Sequence, residues 1–214
     1  MKVGVLASGS GTNLQALIDA AARGELGPAR IVVVGANVPG CGALERAATA
    51  GIPTFLCSHK DFATREEFDH ALVDELRRHG VGLVALAGFM RILTPGFLDT
   101  FPHRVINIHP ALLPAFPGVH AQKQAFDHGV RFSGCTVHFV DAGTDTGPII
   151  AQAVVPALEG DDEEALRLRI LAEEHRLYPA VVRALAEGRV NLEGRRVHIR
   201  GTASDLAAGR LRSL

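Results

Sequence analysis

The sequence predicts an α/β protein: a doubly wound, mostly parallel sheet with helices on both faces and antiparallel strands in its C-terminal part. In the first half, short apolar runs alternate with amphipathic helical patterns, an order typical of parallel strands joined by crossover helices. In the second half, two apolar runs flank the short Gly-rich segment 141–147. A crossover needs about a dozen or more residues, so this spacing favours a hairpin.

Nearly continuous apolar runs identify the first strands, since strands covered on both faces are apolar throughout. The predicted strands cover residues 3–7, 31–35, 53–56 and 83–87, and the predicted helices cover residues 14–23, 43–50 and 65–79. Further on, the predicted strands cover residues 105–108, 136–140 and 149–155, and a helix covers residues 121–128. A long helix follows from about residue 162 to 187, capped by Asp161 or Asp162 and kinked by Pro179. Residues 1–190 are predicted to form one domain, and the polar residues 191–214 a C-terminal tail.

Composition disfavours several classes of protein. The 214 residues carry a net charge of −1 with both signs interspersed, which argues against a nucleic-acid groove or an anionic-membrane surface. The three cysteines (Cys41, Cys57 and Cys135) are widely spaced and form neither a CxxC pair nor a disulfide framework. The chain enters a strand at once, without a signal peptide's apolar core. We expect a soluble cytoplasmic protein, a monomer or homodimer, that binds small molecules and neither nucleic acid nor membrane.

Asn107 and His109 lie two residues apart in a predicted strand and therefore face the same side of the sheet. Pro110 cannot continue a central ladder, so the strand ends there and leaves both side chains at its carboxyl end, where open α/β sheets bind ligands. A hydrogen-bonding amide beside a group that titrates near neutrality suits acyl chemistry. The alternative is a strand-end pair that makes structural hydrogen bonds only.

Residues 8–14 (SGSGTNL) join the first strand to the first helix. Glycines let the backbone approach a ligand, and a helix N-terminus carries partial positive charge, so this loop is a candidate anion site. Leu14 stands where a dinucleotide fingerprint has its third glycine, and the lysine of a P-loop is absent. A single phosphate monoester therefore fits better than NAD or ATP. The alternative is a Gly-rich turn that only caps the helix.

Two acidic residues extend the candidate site. Asp145 lies in the loop 141–147 and can favour a charged His109 if their strands are neighbours, although the residues alone favour a surface-turn aspartate. Glu174 lies on the apolar stripe of the final helix, where an unpaired carboxylate is costly. It must meet a cation, such as an arginine in a structural ion pair or a ligand amine, or else lie at the edge of a pocket.

The chain resembles the phosphoribosylglycinamide formyltransferase family, folate-dependent enzymes of purine synthesis, over residues 1–190. The resemblance rests on four motifs in the family's order: residues 8–15 (SGSGTNLQ), 86–93 (LAGFMRIL), 106–114 (INIHPALLP) and 145–148 (DTGP). It implies a Rossmann-like formyltransferase fold. It also implies formyl transfer from 10-formyltetrahydrofolate to the amine of 5-phosphoribosylglycinamide, with no metal.

The resemblance also implies roles for individual residues. Asn107, His109 and Asp145 would be catalytic: the amide and the protonated imidazole would stabilise the oxyanion, and the carboxylate would favour the imidazolium. Gly11, Thr12 and Asn13 would hold the substrate phosphate, and Glu174 the amine. The folate contacts would be Arg65, Met90, Arg91, Ile92, Leu93, Asn107, Asp141 and Thr144. Residues 1–100 would form the ribonucleotide half, and residues 101–190 the folate-binding and catalytic half.

Some positions depart from the family pattern. Ala111 stands where serine is usual, and Ala115-Phe116 where a basic residue and an aromatic are expected. Lys123 is a candidate for the basic contact.

Formyltetrahydrofolate hydrolase and methionyl-tRNA formyltransferase share the Asn-x-His…Asp core but carry an additional domain, so chain length disfavours both. A non-catalytic folate or nucleotide binder would leave the catalytic trio without a role. The missing third glycine disfavours an NAD oxidoreductase.

Overall fold

The computed structural model of the protein describes residues 1–201. Its first half contains the strands β1 (Lys2–Ala7), β2 (Arg30–Ala36), β3 (Thr54–Leu56) and β4 (Leu83–Leu86). Between them along the chain lie the helices α1 (Thr12–Ala22), α2 (Gly42–Thr49) and α3 (Arg65–Arg78), and a 3₁₀ turn at His59–Asp61 precedes α3. The strands and α-helices agree with the predicted ones to within two residues at each end.

The second half contains α4 (Pro95–Thr100), β5 (Val105–His109), α5 (Ala121–Asp127), β6 (Phe132–Phe139), β7 (Ile149–Pro156), α6 (Glu163–Ala186), β8 (Val190–Glu193) and β9 (Arg196–Ile199). Asp162 caps α6, because its side chain accepts a hydrogen bond from the backbone N–H of Ala165 at 2.7 Å. This helix continues through Pro179. None of the helices within residues 1–201 has the length and apolar content that a membrane crossing requires.

Seven strands form one sheet in the order β3-β2-β1-β4-β5-β6-β7. Strands β1 to β5 are parallel, and β6 and β7 are antiparallel to their neighbours, which confirms the predicted fold class. The strand order reverses between β1 and β4, because the chain first builds outward to β3 and then returns to the other side of β1. In open α/β sheets, ligands bind at the carboxyl ends of the strands beside such a reversal.

Apolar side chains pack on both faces of this sheet. One core lies under α1, α2 and α6 and includes Leu17 and Ile170. The other core lies under α3 and α4 and includes Leu72 and Phe97. The predicted placement of helices on both faces is confirmed.

The short helix α4 was not predicted. It has six residues, too few for a helical period to show in the sequence. Its start is nevertheless well defined, since the Thr94 hydroxyl accepts a hydrogen bond from the N–H of Phe97 at 3.4 Å and Pro95 occupies the first helical position. Strand β6 also begins at Phe132, earlier than the predicted start at residue 136.

The hairpin of β8 and β9 lies in the segment predicted as a polar tail. Its alternate residues Val190, Leu192, Val197 and Ile199 pack against the core under α6, and the polar residues between them face outward. The mixed composition of this segment therefore encodes an amphipathic hairpin. The rest of the predicted tail, residues 202–214, lies outside the described residues.

Candidate active site

Two loops meet at the carboxyl edge of the sheet, beside the reversal in strand order. The N–H of Ser8, after β1, donates to the carbonyl oxygen of Gly88, after β4, at 3.0 Å, and the N–H of Met90 donates to Ser8 Oγ at 2.8 Å. The Ser8 hydroxyl donates in turn to Asn37 Oδ1 at 2.6 Å, which links both loops to the end of β2. The structure therefore places the predicted phosphate loop beside the predicted folate segment.

Gly11 is the N-cap residue of α1 and has a left-handed backbone, with φ of 73°. A β-carbon there would lie 2.6 Å from the Cα of Ala43, so the packing of the loop against α2 requires glycine even without a ligand. Among residues 1–201, no side chain caps this helix end. Its first N–H groups, including those of Thr12 and Asn13, have no intrahelical acceptors and suit an anion.

Glu174 of α6 is buried, with 5% of its surface exposed. Its Oε2 accepts a hydrogen bond from Asn13 Nδ2 at 3.0 Å. Burial raises the pKa of Glu174 to about 7, although the Asn13 bond and the charge of Arg167 act in the opposite direction. Within residues 1–201 no cation pairs with it, because Arg167 pairs with Glu164 instead, at 2.6 Å. The structural ion pair is not found there, and the ligand amine stays a prediction.

Tyr178 fixes the position of Glu174 relative to the sheet. It lies four residues further along α6, so the two side chains share one face of the helix. The buried Tyr178 hydroxyl lies 2.7 Å from the carbonyl oxygen of Leu86 and 3.3 Å from that of Ile106. Leu86 ends β4 and Ile106 belongs to β5, so Tyr178 attaches this face of α6 to the strands that border the site.

Asp145 contacts His109, as predicted if their strands are neighbours. Strands β5 and β6 are paired, and Asp145 Oδ2 lies 3.3 Å from His109 Nδ1. The same oxygen accepts a hydrogen bond from the N–H of Gly118 at 2.8 Å, and Oδ1 lies 3.6 Å from His138 Nε2. Asp145 has a left-handed φ of 55° and is not a free surface-turn aspartate.

The electrostatics of this pair differ in one respect from the prediction. Burial lowers the pKa of His109, and this effect outweighs the upward effects of the Phe116 carbonyl and of Asp145. The charge of Asp145 thus acts in the predicted direction, but the imidazolium is not favoured overall in the free protein. For Asp145, burial raises the pKa, but contacts with His138, Gly118 and His109 together hold it below its usual value.

His109 Nε2 lies 2.9 Å from the carbonyl oxygen of Phe116. A carbonyl oxygen only accepts hydrogen bonds, so Nε2 carries a proton. The ring becomes cationic when Nδ1 takes a second proton opposite Asp145. Phe116 follows Ala115, which stands where the family pattern has a basic residue, and the backbone carbonyl of Phe116 contacts the site.

Sequence reasoning missed two residues at this edge. His138 Nε2 lies 3.3 Å from Asn107 Nδ2, and its Nδ1 lies 2.8 Å from the carbonyl oxygen of Phe139. The only signal for His138 was a polar residue within an apolar strand. The other residue is Arg46 of α2, whose Nε donates to the carbonyl oxygen of Ser10 at 2.9 Å and brings a positive charge to the phosphate loop.

The predicted folate segment presents both polar backbone and apolar side chains. Met90 and Ile92 are 65% and 55% exposed, which leaves apolar surface open to a flat ring. Leu93 is buried in the core under α3, so only its backbone is available to a ligand. Arg65 donates to the carbonyl oxygen of Ile92 at 3.0 Å and supports the segment. Arg91 is half-buried.

The other predicted folate contacts lie in the loop that carries Asp145. Asp141 Oδ1 accepts from the hydroxyl of Thr146 at 2.6 Å and from the N–H of Gly143 at 3.1 Å, so this carboxylate folds the loop. Thr144 is exposed at the loop surface. Lys123 is also exposed and pairs with Asp127 at 2.7 Å. Across residues 1–201, no group of three or more His, Cys, Asp and Glu side chains is arranged to hold a metal ion.

The fold and the residues at the carboxyl ends of its strands agree with one family of proteins. The formyl transferase family model matches residues 1–182, and the chain belongs to that family. It is 51% identical over 191 residues to phosphoribosylglycinamide formyltransferase of Mycobacterium tuberculosis, covering 89% of this chain and 87% of the relative. It is 52% identical over 192 residues to the trifunctional purine biosynthetic protein adenosine-3 of Chironomus tentans; the match covers 89% of this chain but only 14% of that relative.

A solved structure shows the same fold. The crystal structure of glycinamide ribonucleotide transformylase 1 from Symbiobacterium toebii superimposes with a TM-score of 0.91 at 53% identity, covering 94% of each chain.

Proposed function

We propose that this chain transfers the formyl group of 10-formyltetrahydrofolate to the amine of 5-phosphoribosylglycinamide. The products are formylglycinamide ribonucleotide and tetrahydrofolate, in de novo purine biosynthesis. Membership of the formyl transferase family supports the reaction class, and the names of the Mycobacterium and Symbiobacterium relatives support this acceptor. The observation that carries the proposal is the buried carboxyl group of Glu174, which has no cationic partner within residues 1–201 and is bound to Asn13 of the phosphate loop.

The environment of Glu174 fits an amine. Asn13 donates from its amide nitrogen to the carboxylate, and its buried Oδ1 has no hydrogen-bond partner in the described part of the chain. The carboxylate has Asn13 as a donor and the amide oxygen has none among the described residues, so the pair can accept further hydrogen bonds. An ammonium group supplies three donors and a positive charge. With the phosphate at the N–H groups of Thr12 and Asn13, one ribonucleotide would satisfy both ends of this site.

The catalytic trio supports the chemistry at the amine end of that ribonucleotide. The bound ammonium first releases one proton to solvent; the neutral amine then attacks the formyl carbon, and the carbonyl electrons move to the formyl oxygen. Asn107 and protonated His109 donate hydrogen bonds to this oxyanion. The Phe116 carbonyl, 2.9 Å from His109 Nε2, occupies the acceptor position that the formyl oxygen takes over.

Collapse of the tetrahedral intermediate breaks the bond between the formyl carbon and N10 of the folate. The proton lost by the attacking amine reaches N10 through water and His109, so the ring ends the cycle in its starting state. Asp145 stabilises the imidazolium while it exists. No metal enters this sequence of steps.

The folate would lie along Met90, Arg91, Ile92 and Leu93, whose backbone groups read the pterin, with Arg65, Asp141 and Thr144 at its edges. Residues 1–190 would act as one formyltransferase domain, with the ribonucleotide half in residues 1–100 and the folate-binding and catalytic half in residues 101–190. Glu174 would reach across to the ribonucleotide. The three free, buried cysteines fit the reducing environment of the cytoplasm.

A deformylation assay tests this function. The protein is mixed with 10-formyltetrahydrofolate, and loss of the formyl group is followed with and without the ribonucleotide. We expect deformylation that depends on the ribonucleotide and yields one formylated product for each folate released. Deformylation without ribonucleotide would instead indicate a hydrolase, and binding of both ligands without turnover would indicate a non-catalytic binder. The Asp145→Asn variant, purified in parallel, controls for contaminating enzymes.

A further inference from the structure

We infer that Arg195, in the C-terminal hairpin, is a positioning residue that holds the Asp145 loop in its active geometry. Its guanidinium donates a hydrogen bond to the carbonyl oxygen of Thr146 at 2.7 Å, across 49 positions of sequence. Thr146 directly follows Asp145. The hairpin lies beyond residues 1–182, the part that the family model matches. The inference rests on the proposed function for the role of Asp145.

The loop needs support because its backbone is strained. Asp145 has φ of 55°, a conformation that is strained for a non-glycine residue and persists only when its surroundings enforce it. Within the loop, Asp141 accepts from the Thr146 hydroxyl at 2.6 Å. From the opposite side, Gly118 donates to the Asp145 carboxylate at 2.8 Å. Arg195 adds an attachment from a third direction, on the backbone just after the strained residue.

The hairpin is built to present Arg195 in a fixed position. Glu193 pairs with Arg196, so Gly194 and Arg195 form a two-residue turn. Gly194 has φ of 61°, which glycine adopts without strain at the first position of such a turn. The apolar side of the hairpin packs on the core, and β9 contacts β7, the strand that follows the Asp145 loop. Arg195 therefore extends from a docked element.

Loss of this bond should act on catalysis and not on ribonucleotide binding. Without Arg195 the Thr146 carbonyl turns to water, and the loop spends part of its time in conformations that carry Asp145 away from His109. Turnover falls in proportion to the lost population of the active conformation. The ribonucleotide site, formed by α1 and α6, has no direct contact with this hydrogen bond.

The test compares Arg195→Ala with Arg196→Ala. Arg196 is exposed in the same hairpin, and within residues 1–201 its side chain makes no hydrogen bond or ion pair, so it is a matched control. One hydrogen bond is worth about 1 kcal/mol, which changes a ratio of populations about fivefold, so we expect kcat to fall by up to about fivefold in Arg195→Ala at saturating folate. The KM for the ribonucleotide should stay unchanged. Arg195→Lys, which can still donate to one carbonyl, should recover most of the loss, and Arg196→Ala should match wild type.

A second readout is independent of formyl transfer. The pKa of His109, followed by NMR in the free protein, should fall in Arg195→Ala because Asp145 spends less time beside the ring. The inference would be overturned by an unchanged kcat in Arg195→Ala or by an equal loss of kcat in Arg196→Ala. It would also be overturned if Arg195→Ala lost thermal stability while the pKa of His109 stayed unchanged. If wild type lacked formyl transfer altogether, the proposed function would fail, while the NMR comparison would still decide whether Arg195 positions Asp145.

Discussion

Asn13, in the first turn of α1, donates a hydrogen bond to the buried carboxylate of Glu174 on α6 at 3.0 Å. The two residues are 161 positions apart, and only Asn13 lies in one of the four sequence motifs. Their contact joins the phosphate loop to the predicted amine site. A substrate that carries a phosphate at one end and an amine at the other would engage both.

Replacing Glu174 with glutamine should raise the KM for the ribonucleotide by about 10–100-fold, since a buried charge-assisted hydrogen bond is worth about 1.5–3 kcal/mol. Binding of a folate analogue should stay close to wild type. Steady-state kinetics with each substrate varied in turn measure both effects.

Glu173→Gln is the matched control, because Glu173 is the neighbouring carboxylate and pairs with Arg176 near the surface at 3.0 Å. An unchanged KM in Glu174→Gln, together with a lower free energy of unfolding, would instead indicate that Glu174 has a structural role.

The raised pKa of Glu174 also predicts a stability effect with a definite sign. Burial moves its pKa from the ordinary 4.5 to about 7, so the native chain binds more protons than the unfolded chain between these values. This group's contribution to stability therefore falls as pH rises from about 4.5 to 7 and is unfavourable above that range. Glu174→Gln should remove a penalty of up to about 3 kcal/mol at pH 8 and none at pH 4.

Urea unfolding of wild type and Glu174→Gln at both pH values measures this difference. A variant less stable than wild type at pH 8 would show that the carboxylate is stabilised by a partner in the free protein, and the amine-site interpretation would lose its physical basis.

The phosphate loop is better tested at Thr12 than at Gly11. A side chain at Gly11 meets both a positive φ and the backbone of Ala43, so Gly11→Val should destabilise the fold as well as weaken binding. Thr12→Val keeps the shape and removes the hydroxyl. We expect it to raise the KM for the ribonucleotide by roughly three- to tenfold, the value of one hydrogen bond, and to leave the folate KM unchanged. Equal changes in both constants would contradict a phosphate site at this loop.

Sequence periodicity made the strands and the Asn107–His109 pair predictable. Residues two apart on a strand face one side, and Pro110 ends the ladder, so local rules were enough. The role of His138 was not predictable, because it follows from the register that pairs His138 with Asn107 across β5 and β6. Register between distant segments is a tertiary property.

The sign of the His109 pKa shift was likewise beyond sequence reasoning. The favourable charge of Asp145 was predicted, but the larger effect is burial, which depends on how the surrounding elements pack over the ring. The hairpin of β8 and β9 was missed for a related reason. Its few apolar residues look like a polar tail until the core that they cover is known.

We propose that the charge of Asp145 stabilises the transition state through His109. Asp145→Asn keeps the shape of the side chain and removes that charge. The pKa of His109, already lowered by burial, should fall further in the variant, because the upward effect of Asp145 is lost. NMR titration of the imidazole measures this shift. If turnover collapsed while the His109 pKa stayed constant, loop geometry rather than charge coupling would explain the loss.

The most direct measurement is kcat of Asp145→Asn relative to wild type, at saturating concentrations of both substrates and neutral pH. We predict a decrease on the order of 10²–10⁴-fold, with both KM values within a few-fold of wild type, since the lost interaction acts mainly in the transition state. A folded Asp145→Asn protein that retained kcat within about tenfold of wild type would contradict a catalytic role for the Asp145–His109 pair.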